Sequence, residues 1–392
     1  MNWSRLQRGL SRRIDRIRPF RTTTCGQLAA AHPDCWREVH PAWRAAWPAQ
    51  LPSGELPACL RDRLTHSLPA RGVLELRDAV VLGDHGWVFT AEGRVVVDTS
   101  AFADAEPWMP RMRRPLLSAG ATRLRGRTLS LLSNWSSTNF YHMLCESIPR
   151  VQMVFAAGWR WEDFDRILLP ATCTPTIRRM LEQLGLPGEK CLRVEWGQRN
   201  HFRVDELVCT SFLGGRRTVL PMQIDYLRGL YSPRRGNEER GRRIFVRRRA
   251  RTRHIRNEAE LVALLEARGF AVVDPGELSN AEDVFHAADF VVGAHGAGLA
   301  NLVFCRPGTK VLELLPTDQP FPYFFTVSVH GGLHYDCLIC PSDRVQPMPH
   351  PFVTWNSPSD FTVEVAAFAE ALDRLLENPG ETSLPIGARA RD

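Results

Sequence analysis

The chain has 392 residues, 44% hydrophobic and 24% charged, with a formal net charge of +7. At roughly 100–200 residues per domain this describes a soluble globular protein of about two domains, and it excludes a disulfide mini-protein, a collagen-like chain and a wholly disordered one. No run of about 18 or more apolar residues occurs, so no transmembrane helix is expected. Residues 1–20 lack the apolar block of a secretory signal. The ten cysteines are scattered, as expected of reduced thiols in a cytosolic protein. Cys337 and Cys340 form a CxxC without a partner pair at ligand spacing and read as small residues of an interior strand.

In chain order, residues 1–20 predict a basic amphipathic helix. Trp3, Leu6, Leu10, Ile14 and Ile17 fall within an arc of about 80°, and Arg5, Arg8, Arg12 and Arg16 take the other side. An anionic membrane surface and docking on protein are both open as its partner. Residues 21–70 have no sustained period and are expected to form an irregular extension. Residues 71–232 read as a first α/β domain. Strands are expected at Val73–Leu82, Trp87–Val97, Thr128–Ser133, Arg166–Leu169 and Arg203–Cys209, and helices at Asn139–Ala157, Pro175–Leu184 and Met222–Tyr231. Residues 233–242 read as a linker. Residues 243–350 alternate short apolar strands with helices, the pattern of a parallel sheet covered on both faces. A C-terminal helix is expected within 351–378 and a disordered tail over 379–392.

Several chemistries are excluded at once. Neither Lys follows a Gly, so no P-loop is present, and GxSxG, HExxH and GxGxxG motifs are absent. Asp163-Phe164-Asp165 precedes a strand and reads as a solvated turn rather than a metal site. The most informative segment is the apolar strand Phe290–Val292 running into Gly293, Ala294, His295, Gly296, Ala297 and Gly298, with a helix expected at once after it. Ligands of open α/β sheets gather at such strand ends, and free amides at a helix start suit an anion. His295 can add a donor to a phosphate oxygen, and Glu313 can accept from ribose hydroxyls. Arg247 ends the strand Ile244–Val246 and suits a bidentate grip on a diphosphate. Arg248, Arg249, Arg251 and Arg253 read as a solvated loop, and the basic run 243–256 keeps a nucleic-acid reading open. Finally, Asn139, His142 and Glu146 fall on one face of a helix that is otherwise apolar. They form either an acid/base group or a buried polar trio.

Taken together, these segments resemble glycosyltransferase family 61, and within it the bacterial branch that builds capsules and surface polysaccharides. The resemblance rests on three motifs. The first is the N-x-x-H-x-x-x-E of Asn139, His142 and Glu146. The second is the strand-end Arg247 followed by Asn257-Glu258. The third is the G-x-H-G-A-G-L-x-N of Gly293 to Asn301, with Gly308-Thr309 and Glu313 downstream. Val246 stands where bacterial relatives commonly have Ser, and Glu146 where Asp is commoner. The resemblance implies a GT-B fold, with two Rossmann-like domains facing across a cleft. It implies an inverting transferase that passes a sugar from a nucleotide-sugar donor, UDP-linked, to a hydroxyl of a glycan acceptor; a cytoplasmic location is expected from the lack of an export signal, with contact of residues 1–20 to the inner face of the membrane left open. Arg247, Asn257, His295, Gly296, Ala297, Gly298, Asn301 and Glu313 would hold the donor. Glu146 or His142, with Asn139, would serve catalysis, and neither a metal nor another cofactor would be required. An epimerase of similar fold, or a nucleic-acid binder using residues 243–256, are the alternatives.

Overall fold

The computed structural model describes residues 21–44, 60, 67–83, 85–100, 120–195, 200–214, 218–231, 241–249, 252–318, 321–342 and 360–377. The predicted helix over 1–20, most of the predicted linker and the predicted tail lie outside these residues.

Residues 21–70 are not irregular where they are described. They supply β1 (Thr22–Thr23), a capped helix at Cys25–Ala31, β2 (Trp36–His40), and a small pair formed by β3 (Trp43–Arg44) and β4 (Ser67–Leu68). Thr24 caps the helix through a reciprocal bond with Gln27. The first sheet continues with β5 (Arg71–Leu82), β6 (Trp87–Phe89), β7 (Val95–Val96), β8 (Thr122–Ser130), β9 (Arg166–Pro170), β10 (Cys191–Val194) and β11 (His201–Thr210). Its order is β1-β7-β6-β5-β11-β8-β9-β10, with β2 beside β5.

This sheet is mixed. Strands β11, β8, β9 and β10 are parallel neighbours, whereas β5 runs antiparallel to β11, β6 and β2. The Rossmann-like expectation for residues 71–232 therefore needs correction for its N-terminal half. The cause is local: Leu82 and Trp87 are joined by a turn in which Gly83 and Gly86 take φ of 72° and 66°. So tight a reversal permits only antiparallel pairing. The Asp163–Asp165 turn is as expected: Asp163 accepts from the Arg160 amide and Asp165 from the Arg127 amide.

The second sheet contains β12 (Arg242–Val246), β13 (Phe270–Val273), β14 (Ala288–Ala294), β15 (Lys310–Pro316) and β16 (His334–Cys340). All its pairings are parallel, in the order β13-β12-β14-β15-β16. This is the 2-1-3-4-5 order of doubly wound sheets, whose strand direction of travel reverses between the first and third strands. Alternation along β15 separates two cores. Leu312 and Leu314 pack under the C-terminal helix Val365–Glu377, with Phe368 and Leu372. Val311 packs on the other face, in a core shared with the first sheet.

That shared core is continuous. It joins Met143, Ile148 and Ile224 from the first part of the chain to Val291, Leu299 and Phe324 from the second. The two units thus meet through packed side chains, and a cavity remains between them at the strand ends. The segment before the C-terminal helix is held by Asn257, whose side chain both donates to Val363 O at 2.9 Å and accepts from Val363 N at 3.1 Å. Replacing Asn257 by Ala removes both bonds. It is expected to lower stability by about 1–3 kcal/mol and to speed hydrogen exchange at the Val363 amide, read by denaturation and exchange mass spectrometry.

Candidate functional site

The ends of β12 and β14 diverge where the strand order of the second sheet reverses, and a cavity of about 280 Å³ opens there. Arg247, Arg248, Asp274, Gly296, Gly298 and Asn301 line it from the second unit. Phe140 and Thr174–Thr176 line it from the first. Thr174 faces it because it caps the helix Pro175–Gln183, accepting from the Ile177 amide.

Small residues at the end of β14 let backbone and cavity approach. A Cβ on Gly293 would come within 2.9 Å of Leu299, and one on Gly298 within 3.2 Å of Val246. Gly296 has extended backbone, φ 177°, so its requirement is for space: a Cβ there would lie 2.0 Å from Arg248 Nη1. The helix that follows, Ala297–Phe304, is 3-10 rather than α. The His295 amide is spent on Leu314 O. The amides of Gly296, Ala297 and Gly298 have no such partner among the described residues, and they are the free donors expected at a helix start. Asn301 donates to Gly298 O, and its buried Oδ1 accepts from no described residue.

The arginines depart from expectation. Arg248 and Arg253, read from sequence as part of a solvated loop, turn inward. The chain reverses at Arg253 with φ of 64°, rare for a residue with a side chain. Arg248 donates to Thr252 O and reaches over Gly296. Burial and the neighbouring Arg253 push its pKa down to about 9, which leaves it a cation at neutral pH. Burial also lowers the pKa of Arg253, against the pull of Asp318, Tyr323 and Glu313, and its buried Nε has no hydrogen-bond partner among the described residues. Arg247 lines the cavity as expected, held by Glu258 Oε1 at 2.8 Å. Arg249 pairs with Asp274 at 3.2 Å and with Glu277.

Two expected donor contacts are displaced. Glu313 cannot meet ribose hydroxyls: it is fully buried within β15, three residues before the strand ends. Its Oε1 lies 2.5 Å from His295 Nδ1, and its Oε2 accepts from Tyr335 OH at 2.6 Å. Asn257 is committed to Val363 and is no cavity residue. The carboxylate that does stand at a strand end beside the cavity is Asp274, directly after β13. An acidic residue at the end of the second strand is where doubly wound folds hold a ribose. The signal was present in the sequence as Val273-Asp274-Pro275.

Across the cavity, the predicted helix over Asn139–Ala157 is broken. His142–Ser147 is a π-helix, in which Ile148 N donates to Met143 O. Pro149 has no N–H for Cys145 O, and that carbonyl accepts instead from Gln223 Nε2 at 2.6 Å. Such π-turns recur at functional sites. Here it places Glu146 Oε2 at 2.6 Å from Ser133 Oγ, which donates to it, and at 2.9 Å from His142 Nδ1. The imidazole lies in ion-pair contact but is turned off the line of a hydrogen bond. Asn139 does not join them: its Oδ1 accepts from the Tyr141 amide and shapes the helix start.

Tyr323, which sequence reasoning missed, stands between the two halves. Its ring centroid is 6.1 Å from that of His142 and 6.3 Å from that of His295. Two buried His–Glu pairs, one from each unit, thus flank one tyrosine. Among the described residues no group of three or more His, Cys, Asp and Glu gathers to hold a metal ion, and no helix is long and apolar enough to cross a membrane.

The family profile "Glycosyltransferase 61" matches residues 140–312, a stretch that carries His142, Glu146 and His295 and stops one residue before Glu313. A beta-1,2-xylosyltransferase of Oryza sativa subsp. japonica is 43% identical over 54 residues, 14% of this chain and 10% of that protein. A beta-1,2-xylosyltransferase of Arabidopsis thaliana is 32% identical over 60 residues, 15% of this chain and 11% of that protein. An alpha-1,3-arabinosyltransferase of Oryza sativa subsp. japonica is 34% identical over 79 residues, 19% of this chain and 14% of that protein. The chain therefore matches only a short part of the length of each relative, and the relatives are plant proteins.

Gly296→Ala places a methyl against the flexible end of Arg248 rather than against backbone. The variant is expected to melt close to wild type and to bind inorganic pyrophosphate about tenfold more weakly, the worth of one displaced charge-assisted hydrogen bond, measured by calorimetry.

Proposed function

We propose that this protein is a glycosyltransferase that holds a nucleotide-sugar donor, UDP-linked, in the cavity between its two units and passes the sugar to a hydroxyl of a glycan. The observation that carries this reading is the set of groups lining the cavity at the strand-order reversal, three free amides with Arg247, Arg248 and Asp274, while the helix that sends Phe140 into the cavity from the first unit also bears the His142–Glu146 pair. The amides and cations suit a diphosphate, and Asp274 a ribose. The match to the glycosyltransferase profile supports it. The names of the plant relatives favour a pentose, xylose or arabinose, over the capsule chemistry of the bacterial branch.

In this mechanism the acceptor oxygen attacks the anomeric carbon from the side opposite the diphosphate. The carbon–oxygen bond to the diphosphate breaks, its electron pair leaves with the phosphate oxygen, and the anomeric centre is inverted. Glu146 takes the proton of the acceptor hydroxyl. Ser133 and His142 occupy the side of Oε2, so Oε1 is the oxygen left for that task. The arginines and amides stabilise the leaving charge, a preorganised electrostatic contribution that acts strongly in a dry site. The GT-B arrangement of two Rossmann-like units is the frame proposed for it, with the mixed sheet on the acceptor side. The reaction is placed at the cytoplasmic face of a membrane, with residues 1–20 as the contact.

Less supports the nucleic-acid alternative: Arg247 and Arg248 are half-buried and held by Glu258 and by Thr252 O, while Arg249, paired with Asp274, stays exposed.

Glu146→Gln is expected to lower turnover of UDP-xylose or UDP-arabinose by ~10²–10⁴, the usual worth of a general base, with UDP affinity unchanged. Product release assays and calorimetry read the two quantities, and wild-type turnover in the variant would remove Glu146 from the reaction. Arg248→Ala is expected to weaken UDP binding by more than ~1.4 kcal/mol, tenfold in Kd. Equal UDP affinity in that variant would place the diphosphate elsewhere.

A further inference from the structure

Glu313 is the one carboxylate of the site with no exposure at all, and both its oxygens receive hydrogen bonds, from His295 and Tyr335. A buried carboxylate is costly unless donors satisfy it. The Tyr335 phenol is held well above its usual range by burial and by Glu313, so it stays a neutral O–H and serves as one of them. The other must be His295 Nδ1–H. The carboxylate therefore fixes the tautomer of the imidazole and leaves Nε2 as the atom with a lone pair.

We propose that Glu313 and Tyr335 are positioning residues that hold His295 ready to take up a proton on Nε2 when the donor's diphosphate binds, and that the imidazolium so formed stabilises the charge growing on the leaving group. The inference rests on the reading of the cavity as a nucleotide-sugar site. Ala294 and Gly296 border the cavity; His295 between them is buried behind that lining and is coupled to the cavity by the charge of Arg248, which does line it. Every charged or titratable neighbour given for it bears on the balance. From β15 and β16 come Glu313 and Tyr335, with Cys337 beside the tyrosine. From the loop after β12 come Arg248 and Arg253, the latter also facing Asp318. From the helix Tyr323–His330 comes Tyr323.

In the empty site, burial disfavours the imidazolium, Glu313 favours it, and Arg253 and Arg248 disfavour it; the net effect lowers the pKa. His295 is then neutral near pH 7. A diphosphate brings negative charge against the same arginines and screens them. The imidazolium becomes favourable, because its pairing with Glu313 on Nδ1 is no longer opposed by the charge of the two arginines. One proton moves from solvent to Nε2, and no other bond changes. The direction of the pH effect follows from linkage. Binding takes up a proton only between the pKa of the empty site and that of the complex. Within that window Kd rises towards tenfold per pH unit. Below it the imidazole is protonated in both states and the dependence vanishes.

The test is calorimetry of UDP binding in buffers of different ionisation enthalpy, between about pH 7 and 8.5, where a terminal phosphate of pKa near 6 is already ionised. Wild type is expected to take up close to one proton per UDP at the middle of the window. Glu313→Gln removes the counter-charge and is expected to abolish most of that uptake and to bind UDP about tenfold more weakly at pH 7.5. Tyr335→Phe removes a single hydroxyl that competes with His295 for Glu313 and keeps the tautomer; its window is expected to move to higher pH. It serves where the glutamine variant does not fold. Nitrogen-15 spectra of the wild-type imidazole are expected to show the proton on Nδ1 in the absence of UDP. UDP binding without proton uptake, or an unchanged pH profile in Glu313→Gln or, where that variant does not fold, in Tyr335→Phe, overturns the relay and leaves the donor site standing. No UDP binding by the folded wild type overturns the donor site and the relay with it.

Discussion

The site depends on a geometric constraint of parallel sheets. Where strand order reverses between β12 and β14, the connecting segments leave in opposite directions and cannot close the space between the strand ends. The crevice this leaves is filled from above by the first unit, through Phe140 and the capped helix at Pro175. The continuous core beneath, from Met143 to Phe324, fixes how the two units meet. Close packing makes that fit discrete rather than adjustable, so residues from distant parts of the chain can share one cavity.

Charge is arranged around that crevice in layers. Amides and arginines face the opening, and carboxylates stand behind them. Arg247 leans on Glu258, and Arg249 on Asp274. Arg248 and Arg253 have no carboxylate hydrogen-bonded to them among the described residues. Two buried cations side by side are unfavourable without an anion between them, which is the electrostatic state of a site built for an anionic ligand. The His–Glu pairs stand on either side of Tyr323, one on each unit, and all four of their side chains are buried.

Legibility in the sequence followed locality. The Gly293–Gly298 turn could be read because each glycine answers a contact within a few residues or at the neighbouring strand end. The parallel second sheet could be read because its strands are continuous apolar runs. The Glu146–His142 contact could be read from spacing, although the π-turn that shapes it was announced only by Pro149, which was passed over as an interior helix residue. The antiparallel half of the first sheet was signalled by Gly83 and Gly86 but lay in a region read by alternation alone.

The sequence by itself determined the strand–turn–helix unit at His295, the placement of Arg247 at a strand end and the likeness to a glycosyltransferase family, because each depends on neighbours along the chain. Only the tertiary structure decided the rest. The reversal at Arg253 turned a run of like charges inward, and no pattern of residues states the direction of a side chain after a chain reversal. Glu313 was moved from ribose to imidazole because β15 runs on for three residues beyond it and buries it. Tyr323 and Tyr335 acquired meaning because packing of the two units and pairing of β15 with β16 put them beside groups distant in sequence. Such contacts are set by how surfaces fit, and a linear reading holds no term for that.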